Sequence, residues 1–430
     1  MKISDRKVFE QQDCFGIGAP NDAYAQYFKG QSYLKPLTVP GETSVFLANV
    51  TFEPGCRNNW HIHHAAKGGG QLLICTAGEG WYQEEGKEPV SLTPGMVITI
   101  PAEVKHWHGA KADSWFSHIA VEVPGEDTGN EWCEPVNDED YERLVLSESY
   151  TLSNGVKIPK LGLGTWFIED EKAAKAVQEA VSAGYRHIDT AQAYGNEAGV
   201  GEGVRTCGVS REKIFVTSKV AAEAKSYEAA AKSIDETLSK MGLSYIDMMI
   251  IHSPQPWAEW RETDKRYFKE NKEVWRALED AYKAGKVRAI GVSNFLKDDL
   301  ENLLSDCEIK PMVNQILLHI GNTDAELIQF CEEKGILVEA YSPIAHGEAA
   351  RNQKILEMAE KYRVSAAQLC IRYTIQLGAV SLPKTANPVH MRDNAKVGFV
   401  ISEEDMEVLK HAVSLKEYGE YSYFPVFSGK

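Results

Sequence analysis

Short apolar stretches separated by Gly and Pro turns fill the first 123 residues, and no helical pattern lies between them. Strands at such spacing indicate an all-β sandwich or barrel. The predicted strands are 44–52, 71–76, 80–83, 90–92, 96–100 and 117–123.

From residue 150 onward, apolar strands alternate with amphipathic helical stretches. An Asn154-Gly155 turn within 150–159 predicts a hairpin. The strand and helix repeats that follow favour a closed parallel (β/α)8 TIM barrel over a doubly wound sheet. No Gly-x-Gly-x-x-Gly follows a strand, which disfavours a Rossmann dinucleotide site. The predicted strands are 161–166, 185–190, 214–219, 245–252, 287–293, 311–315, 337–341 and 379–384.

Length and charge set limits on organisation and partners. A chain of 430 residues is too long for one ordinary core. The patterns predict a β-barrel domain over 1–123, an acidic linker over 124–149 and the (β/α)8 barrel over 150–430. A net charge of −16 argues against nucleic-acid binding.

The subcellular compartment is predicted from three features that the sequence lacks: a membrane span, a signal peptide and paired cysteines. No run approaches the roughly 18 apolar residues of a membrane span, and no signal peptide is recognisable at the start. The eight cysteines are scattered without paired spacing, as is typical of free thiols. We therefore expect a cytoplasmic protein without membrane partners.

Titratable residues stand at or just beyond the ends of three predicted barrel strands. Asp189 and Tyr194 lie five residues apart in HIDTAQAYGNE, while Lys219 and His252 end the strands 214–219 and 245–252. Such strand ends are where a β/α barrel carries its active site. A tyrosine there can donate a proton if a neighbour lowers a pKa that is ordinarily ~10.

These four residues resemble the catalytic tetrad of the aldo-keto reductases. The words LGLGTW, HIDTAQAYGNE, VTSK, IGVSNF, VNQI, EAYSP and LPKT occur in that family's order, from about residue 150 to 430. The resemblance implies hydride transfer from NADPH, or alternatively NADH, to a small-molecule carbonyl, with Tyr194 as the proton donor. Lys219 would lower the pKa of Tyr194, and Asp189 would hold Lys219 in place. His252 would orient the carbonyl oxygen.

The same resemblance implies a set of cofactor-binding residues. These are Thr165, Trp166, Ser293, Asn294, Gln315, Tyr341, Ser342, Lys384, Thr385, His390 and Asn394. His390 stands where the family has an Arg, and an imidazole cannot make the two-pronged phosphate contact of a guanidinium. The preference for NADPH over NADH should therefore be weaker than usual.

The substrate side also departs from the family pattern. Ser253 follows His252 where a Trp is common, which opens one side of the pocket. Trp257 and Trp260 either refill this gap or only pack their own loop. The aromatic tail 418–427 corresponds to the segment that frames the substrate mouth in the family.

A cluster of histidines marks the first part of the chain. His61 and His63 alternate on one predicted strand, so both face one side, and His106 on a neighbouring strand can join them. The words GCRNNWHIHH and GMVITIPAEVKHWH resemble the paired motifs of the cupin family. Gln71 stands where that family has a Glu ligand. The resemblance implies that these four residues hold one divalent metal, such as Mn, Fe, Zn or Ni, in a dipositive site.

Together the two resemblances favour a multidomain, bifunctional enzyme in which a metal-binding cupin barrel precedes a carbonyl reductase. The cupin would act on a small oxygenated compound related to the reductase substrate. One alternative is a non-catalytic cupin that senses a ligand or forms a homodimer. Another is a barrel that keeps the cofactor as a redox sensor without turnover, which the intact tetrad disfavours.

Overall fold

The chain divides into two structural units in a computed structural model, which describes residues 2–39, 41–262, 264–411, 415 and 417–428. The amino-terminal unit comprises Met1–Ser147 with Gly398–Val400, and the carboxy-terminal unit comprises Glu148–Val397 with Ile401–Lys430. Among the residues described, no helix is long and apolar enough to cross a membrane.

Two antiparallel sheets build the amino-terminal unit, which confirms the all-β prediction. The first sheet has six strands in the spatial order Ala19–Pro20, Ser32–Pro36, Phe46–Phe52, Phe116–Glu122, Gln71–Gly78 and Val97–Ile100. Buried and half-buried residues alternate along most of Gln71–Gly78, because successive side chains of a strand point to opposite faces. Phe52, Leu73 and Phe116 are fully buried in the core.

The second sheet carries the histidines. Its strands are Val90–Leu92, Gly80–Glu84, His106–Ala110, Arg57–Asn58 and Phe28–Lys29, with His61–His64 and Gly129–Trp132 pairing off this path. His61 lies opposite His106 in the antiparallel register. The alternation expected of His61 and His63 is present, because both are buried while Ile62 and His64 between and after them are half-buried.

The segment 124–149 differs from the acidic linker expected there. Gly125–Glu126 pairs with Lys67–Gly68, and Gly129–Trp132 pairs with His61–His64. Trp132 stacks on Tyr27 with ring centroids 4.6 Å apart. The acidic side chains face solvent while the backbone completes the sheet, so charge alone was a poor indicator of a linker. A helix over Asp138–Glu142 follows.

In the carboxy-terminal unit, eight parallel strands form a closed barrel, as predicted. In order they are Leu163–Gly164, His187–Asp189, Phe215–Val220, Ile246–Ile251, Val287–Ser293, Val313–Leu317, Leu337–Tyr341 and Val380–Leu382. Parallel bridges from Leu161 to Ser381 and from Gly164 to Lys384 join the first strand to the last. The predicted hairpin before the barrel consists of Ser149–Thr151 and Lys157–Pro159.

Amphipathic helices alternate with these strands. They are Asp170–Ser182, Glu197–Thr206, Tyr227–Met241, Phe268–Lys283, Lys297–Leu304, Ala325–Lys334, Gln353–Lys361, Ala366–Gln376, Pro388–Asn394 and Glu403–His411. In Tyr227–Met241 the Ser226 hydroxyl accepts from the N–H of Ala229 and caps the start, and Gly242, at φ 62°, ends the helix. Only one face of such a helix is buried, and that face packs on the barrel.

Candidate functional site

A cavity of about 540 Å³ opens at the carboxyl ends of the barrel strands. Asp189, Ser293 and Tyr341 are the last residues of their strands, and His252 directly follows Ile246–Ile251. Parallel strands bring such residues to one end of a barrel. The lining of the cavity includes Asp189, Tyr194 and His252 of the predicted tetrad.

Lys219 lies fully buried beneath this cavity. Its Nζ donates to Asp189 Oδ1 at 2.6 Å and to the carbonyl of Thr190 at 2.8 Å. Burial lowers the pKa of Lys219, but attraction by Asp189 and Tyr194 outweighs burial, so the net pKa is raised. The ammonium group is therefore kept charged and held in one place.

Tyr194 places its hydroxyl 3.4 Å from Lys219 Nζ. Burial raises the pKa of Tyr194 more than Lys219 lowers it, so the net direction is upward. This corrects the expectation of a lowered pKa, because the sequence showed the cation but not the depth of burial. Tyr194 accordingly stays a protonated phenol at neutral pH, which is the state that can give up a proton.

His252 packs its ring edge-on against Tyr194, with centroids 5.6 Å apart. Burial lowers the pKa of His252 well below its usual range, so the imidazole is neutral. Trp257 lines the cavity and packs against His252 at 5.1 Å, with Trp260 buried behind it. Trp257 thus occupies space beside His252, which is the first of the two alternatives weighed for this loop.

Most of the predicted cofactor residues border the cavity. Those that line it are Thr165, Trp166, Ser293, Asn294, Gln315, Tyr341, Ser342 and Lys384. Hydrogen bonds connect several of them: the Tyr341 hydroxyl donates to Asn294 Oδ1 at 2.8 Å, and Ser293 Oγ donates to the carbonyl of Gln315 at 2.8 Å. These side chains are therefore held in position by protein contacts alone.

The remaining three predicted cofactor residues lie outside the cavity lining. Thr385 Oγ1 accepts from the N–H of Asn387, just before the helix Pro388–Asn394. His390 is exposed on that helix, whereas Asn394 is buried at its end. All three follow Lys384 along the chain, on the segment that leaves the last barrel strand.

Three lining residues of the aromatic tail were anticipated, and one further residue was not. Tyr421, Phe424 and Phe427 border the cavity, as the tail prediction expected. His346 also borders it, stacked on Tyr421 with centroids 4.2 Å apart. His346 lies between the quoted words EAYSP and LPKT, so only its place shortly after a barrel strand could have marked it.

Three imidazoles converge in the amino-terminal unit. One ligand atom each from His61, His63 and His106 lies within 4.8 Å of the others, and all three residues are buried. Among the residues the structure describes, no other His, Cys, Asp or Glu cluster meets this condition. The trio expected from the sequence is thus brought together.

The outer nitrogen of each of these imidazoles faces a protein oxygen. His61 Nδ1 lies 3.0 Å from the carbonyl of Asn59, His63 Nδ1 lies 2.6 Å from Asn130 Oδ1, and His106 Nδ1 lies 2.9 Å from the carbonyl of Val104. Burial lowers the pKa of all three, to about 4 for His106, so they are neutral. A neutral ring with a proton on Nδ1 leaves a lone pair on Nε2.

Several buried polar atoms at this histidine cluster have no hydrogen-bond partner in the part of the chain that the structure describes. His63 Nε2, His106 Nε2 and Gln71 Oε1 have no hydrogen-bond partner among the described residues. Gln71 begins its strand directly after Gly70, whose φ is 90° and where a Cβ would lie 2.3 Å from the carbonyl of Ile100. Neutral imidazole nitrogens and an amide oxygen are suitable ligands for a divalent cation. The oxygens that face the Nδ1 atoms hold the imidazole rings in a fixed orientation.

The other buried or neighbouring histidines are arranged differently. His64 is half-buried and pairs with Glu103 at 2.7 Å and Glu131 at 2.8 Å. His108 and His118 are buried and bond to each other at 3.2 Å. His64 therefore contacts carboxylates at the surface, whereas His108 and His118 belong to the buried interior.

Comparison with known proteins gives two family matches. The Aldo/keto reductase family model matches residues 160–414, and the Cupin domain model matches residues 48–120. The glyoxal reductase of Bacillus subtilis is 42% identical over 264 residues, covering 61% of this chain and 91% of that protein.

Solved structures give the same result. An aldo/keto reductase from Brucella melitensis has a TM-score of 0.57 and 36% identity, covering 61% of this chain and 98% of that one. A Bombyx mori aldo-keto reductase in complex with NADP has a TM-score of 0.57 and 29% identity, covering 65% and 98%.

Proposed function

This chain belongs to the aldo/keto reductase family and carries a cupin domain ahead of the reductase, and on that premise we propose the reaction and its residues. The carboxy-terminal unit reduces an aldehyde or ketone to an alcohol with NADPH, and Tyr194 is the proton donor. The observation that carries this proposal is the buried contact of Lys219 with both Asp189 and Tyr194 at the cavity floor.

The role proposed for each member of the tetrad follows from the negative charge that develops on the carbonyl oxygen during reduction. NADPH, when bound, supplies a hydride to the carbonyl carbon, and the oxygen then gains negative charge. Tyr194 gives its phenolic proton to that oxygen as the C–H bond forms. Lys219 stabilises the phenolate that remains, and Asp189 keeps the ammonium group in place. The neutral ring of His252 donates a hydrogen bond to the same oxygen and orients it.

Cofactor placement follows from the polar residues along the cavity. Ser293, Asn294 and Gln315 would hold the nicotinamide carboxamide, and Tyr341 would stack on the ring. Ser342 and Lys384 would contact the phosphates. Thr385, His390 and Asn394 would meet the adenosine end, with Thr165 and Trp166 at the opposite end. Use of NADH in addition to NADPH is expected, because His390 lacks a guanidinium fork.

For the substrate we propose a small aldehyde, as the name of the related glyoxal reductase suggests. Aromatic side chains surround the part of the cavity nearest Tyr194, among them Trp166 and Trp257. The test is a screen of the purified full-length chain with NADPH against glyoxal, longer aliphatic aldehydes and an aromatic aldehyde. Loss of NADPH absorbance should be greatest with a small dicarbonyl. Tight NADPH binding without oxidation by any carbonyl would contradict the proposal.

A second function is proposed for the amino-terminal unit because free Nε2 atoms converge there. One divalent metal would bind His61, His63, Gln71 and His106, and when bound it would supply Lewis-acid chemistry to a small oxygenated compound. The alternative is a module that senses a ligand or forms a homodimer without turnover. Metal analysis and incubation of the metal-loaded protein with the reductase's own substrates and products distinguish the two. New products indicate a bifunctional enzyme, whereas binding without conversion indicates a sensing module.

A further inference from the structure

Glu339 lies directly behind the cavity, in the strand Leu337–Tyr341, and its side chain is fully buried. It stands opposite Gln315 in the register of neighbouring parallel strands. Gln315 lines the cavity. Glu339 is neither part of the tetrad nor one of the residues proposed to touch the cofactor, yet a carboxyl group in the interior of an apolar barrel is costly unless it is partnered.

The amide of Gln315 is shared between two carboxyl groups. Its Nε2 donates to Asp189 Oδ2 at 2.9 Å and to Glu339 Oε2 at 2.9 Å. A side-chain amide nitrogen has two hydrogens, and both are used by these contacts. If the amide turned over, Oε1 would instead face the ionised carboxylate of Asp189, which is unfavourable. The oxygen of Gln315 is consequently the atom left for the cavity.

We propose that Glu339 is a positioning residue for the cofactor, which fixes the Gln315 amide so that its oxygen faces the carboxamide NH2 of the nicotinamide. The inference rests on the proposed placement of the cofactor along Ser293, Asn294 and Gln315. Asp189 alone holds only one of the two amide hydrogens. Glu339 accepts the second hydrogen and thereby fixes the plane of the amide.

The surroundings of Glu339 suit a neutral hydrogen-bond acceptor. Burial raises the pKa of Glu339 to about 8, and the nearby charge of Asp189 acts in the same direction. Asp189 is paired with the ammonium of Lys219, whereas Glu339 Oε1 lies 4.0 Å from His187 Nε2. A protonated carboxyl still accepts through its carbonyl oxygen. It does so without adding a second buried negative charge beside Asp189.

The test is a double-mutant cycle on NADPH affinity, measured by fluorescence titration of the full-length chain without substrate. Glu339→Leu should weaken NADPH binding roughly five- to tenfold, about the value of one lost hydrogen bond. Gln315→Leu should weaken it at least as much. The double variant should be no weaker than Gln315→Leu alone, because Glu339 acts through that amide. Glu339→Gln, which keeps an acceptor of the same shape, should stay within about twofold of the parent.

The outcomes separate this inference from the cofactor placement on which it rests. If Gln315→Leu leaves NADPH affinity unchanged, the proposed placement fails and the inference fails with it. If Gln315→Leu weakens binding but Glu339→Leu does not, or if the two effects simply add, only the inference fails. Thermal unfolding checks that each variant is folded. Glu339→Met, a second variant without a carboxyl acceptor, replaces Glu339→Leu if the leucine disturbs the barrel.

Discussion

The buried polar groups around Lys219 hold one another, whereas those around His63 and His106 point inward without a partner. In the carboxy-terminal unit, Lys219 is bonded to Asp189, and Asp189 is bonded in turn to Gln315. In the amino-terminal unit, the Nε2 atoms of His63 and His106 remain free among the described residues. In the first site the positive and negative charges balance before any ligand binds. The second site consists of neutral imidazoles whose lone pairs could bind a cation.

Burial also acts in opposite chemical directions in the two sites. It raises the pKa of Tyr194 and thereby keeps a proton available for transfer. It lowers the pKa of His61 and His106 and thereby removes protons from atoms that would bind a metal. The same desolvation therefore prepares a proton donor in one unit and electron-pair donors in the other. Three variants test how far this contrast holds.

The largest effect is expected from Tyr194→Phe, which removes the proton donor and little else. Turnover should fall by about 100-fold or more, equivalent to about 3 kcal/mol in the barrier, while NADPH affinity stays close to that of the parent. Steady-state kinetics and a cofactor titration measure the two quantities separately. Tyr227→Phe is the matched control, because the Tyr227 hydroxyl bonds to Asp280 outside the cavity. Near-normal turnover by Tyr194→Phe would remove Tyr194 from the proposed mechanism.

The fold was predictable where the apolar pattern is continuous. The strands Val287–Ser293 and Leu337–Tyr341 have the predicted bounds, because parallel strands covered on both faces are mostly apolar, and a single charged residue in each, Arg288 and Glu339, does not hide that pattern. The strand Gly129–Trp132 was missed, since three of its four residues are exposed and the segment is acidic. A strand at a solvated position has too little hydrophobic signal to separate it from a loop.

The identities of the site residues were easier to predict than their protonation states and hydrogen-bond partners. Motif words placed Lys219 beside Tyr194, but the direction of the Tyr194 pKa depends on burial from many elements at once. The contact of Glu339 with Gln315 joins two strands, and no local pattern of either strand indicates it. The unpartnered Nε2 atoms of His63 and His106 likewise depend on which oxygen faces Nδ1 of each ring, the Asn130 side chain for His63 and the Val104 carbonyl for His106, and that is decided only by the fold.

A complete loss of bound metal is expected from the double variant His61→Ala/His63→Ala. The parent should carry about one divalent ion per chain, and metal added at 100 times its Kd should stabilise the parent by about 2.7 kcal/mol but not the variant. Elemental analysis and thermal unfolding measure these effects. His64→Ala is the matched control, because His64 neighbours the trio but pairs with Glu103 and Glu131. Equal metal loss in His64→Ala would contradict the assignment of the ligands.

The same double variant tests whether the two sites act independently. The groups around Lys219 need no metal for hydride and proton transfer, so reduction of an aldehyde with NADPH should be unchanged in the variant or after chelation. Any reaction of the cupin should disappear. If aldehyde reduction stops while the protein stays folded, the two sites are energetically coupled and the contrast between them is only apparent.

The smallest effect is expected from His390→Arg. This substitution adds a positive charge at the proposed cofactor site of the reductase, where it could contact a phosphate of the cofactor. His390 is exposed on the helix Pro388–Asn394, in the group proposed to meet the adenosine end of the cofactor. A guanidinium can contact a phosphate with two parallel hydrogen bonds, and such charge-assisted bonds contribute ~1.5–3 kcal/mol. We expect NADPH affinity to rise about tenfold and NADH affinity to change little, as measured by titration with each cofactor.

A matched control separates this contact from a general gain of positive charge. His411→Arg places the same new charge at the exposed end of the helix Glu403–His411, away from the residues proposed to bind the cofactor. Long-range attraction would improve NADPH binding in both variants and would fade as salt is raised. A bidentate contact to the 2′-phosphate would improve it in His390→Arg alone. Equal gains for NADPH and NADH in His390→Arg would instead place residue 390 away from the 2′-phosphate, and the weak discrimination proposed here would then need another cause.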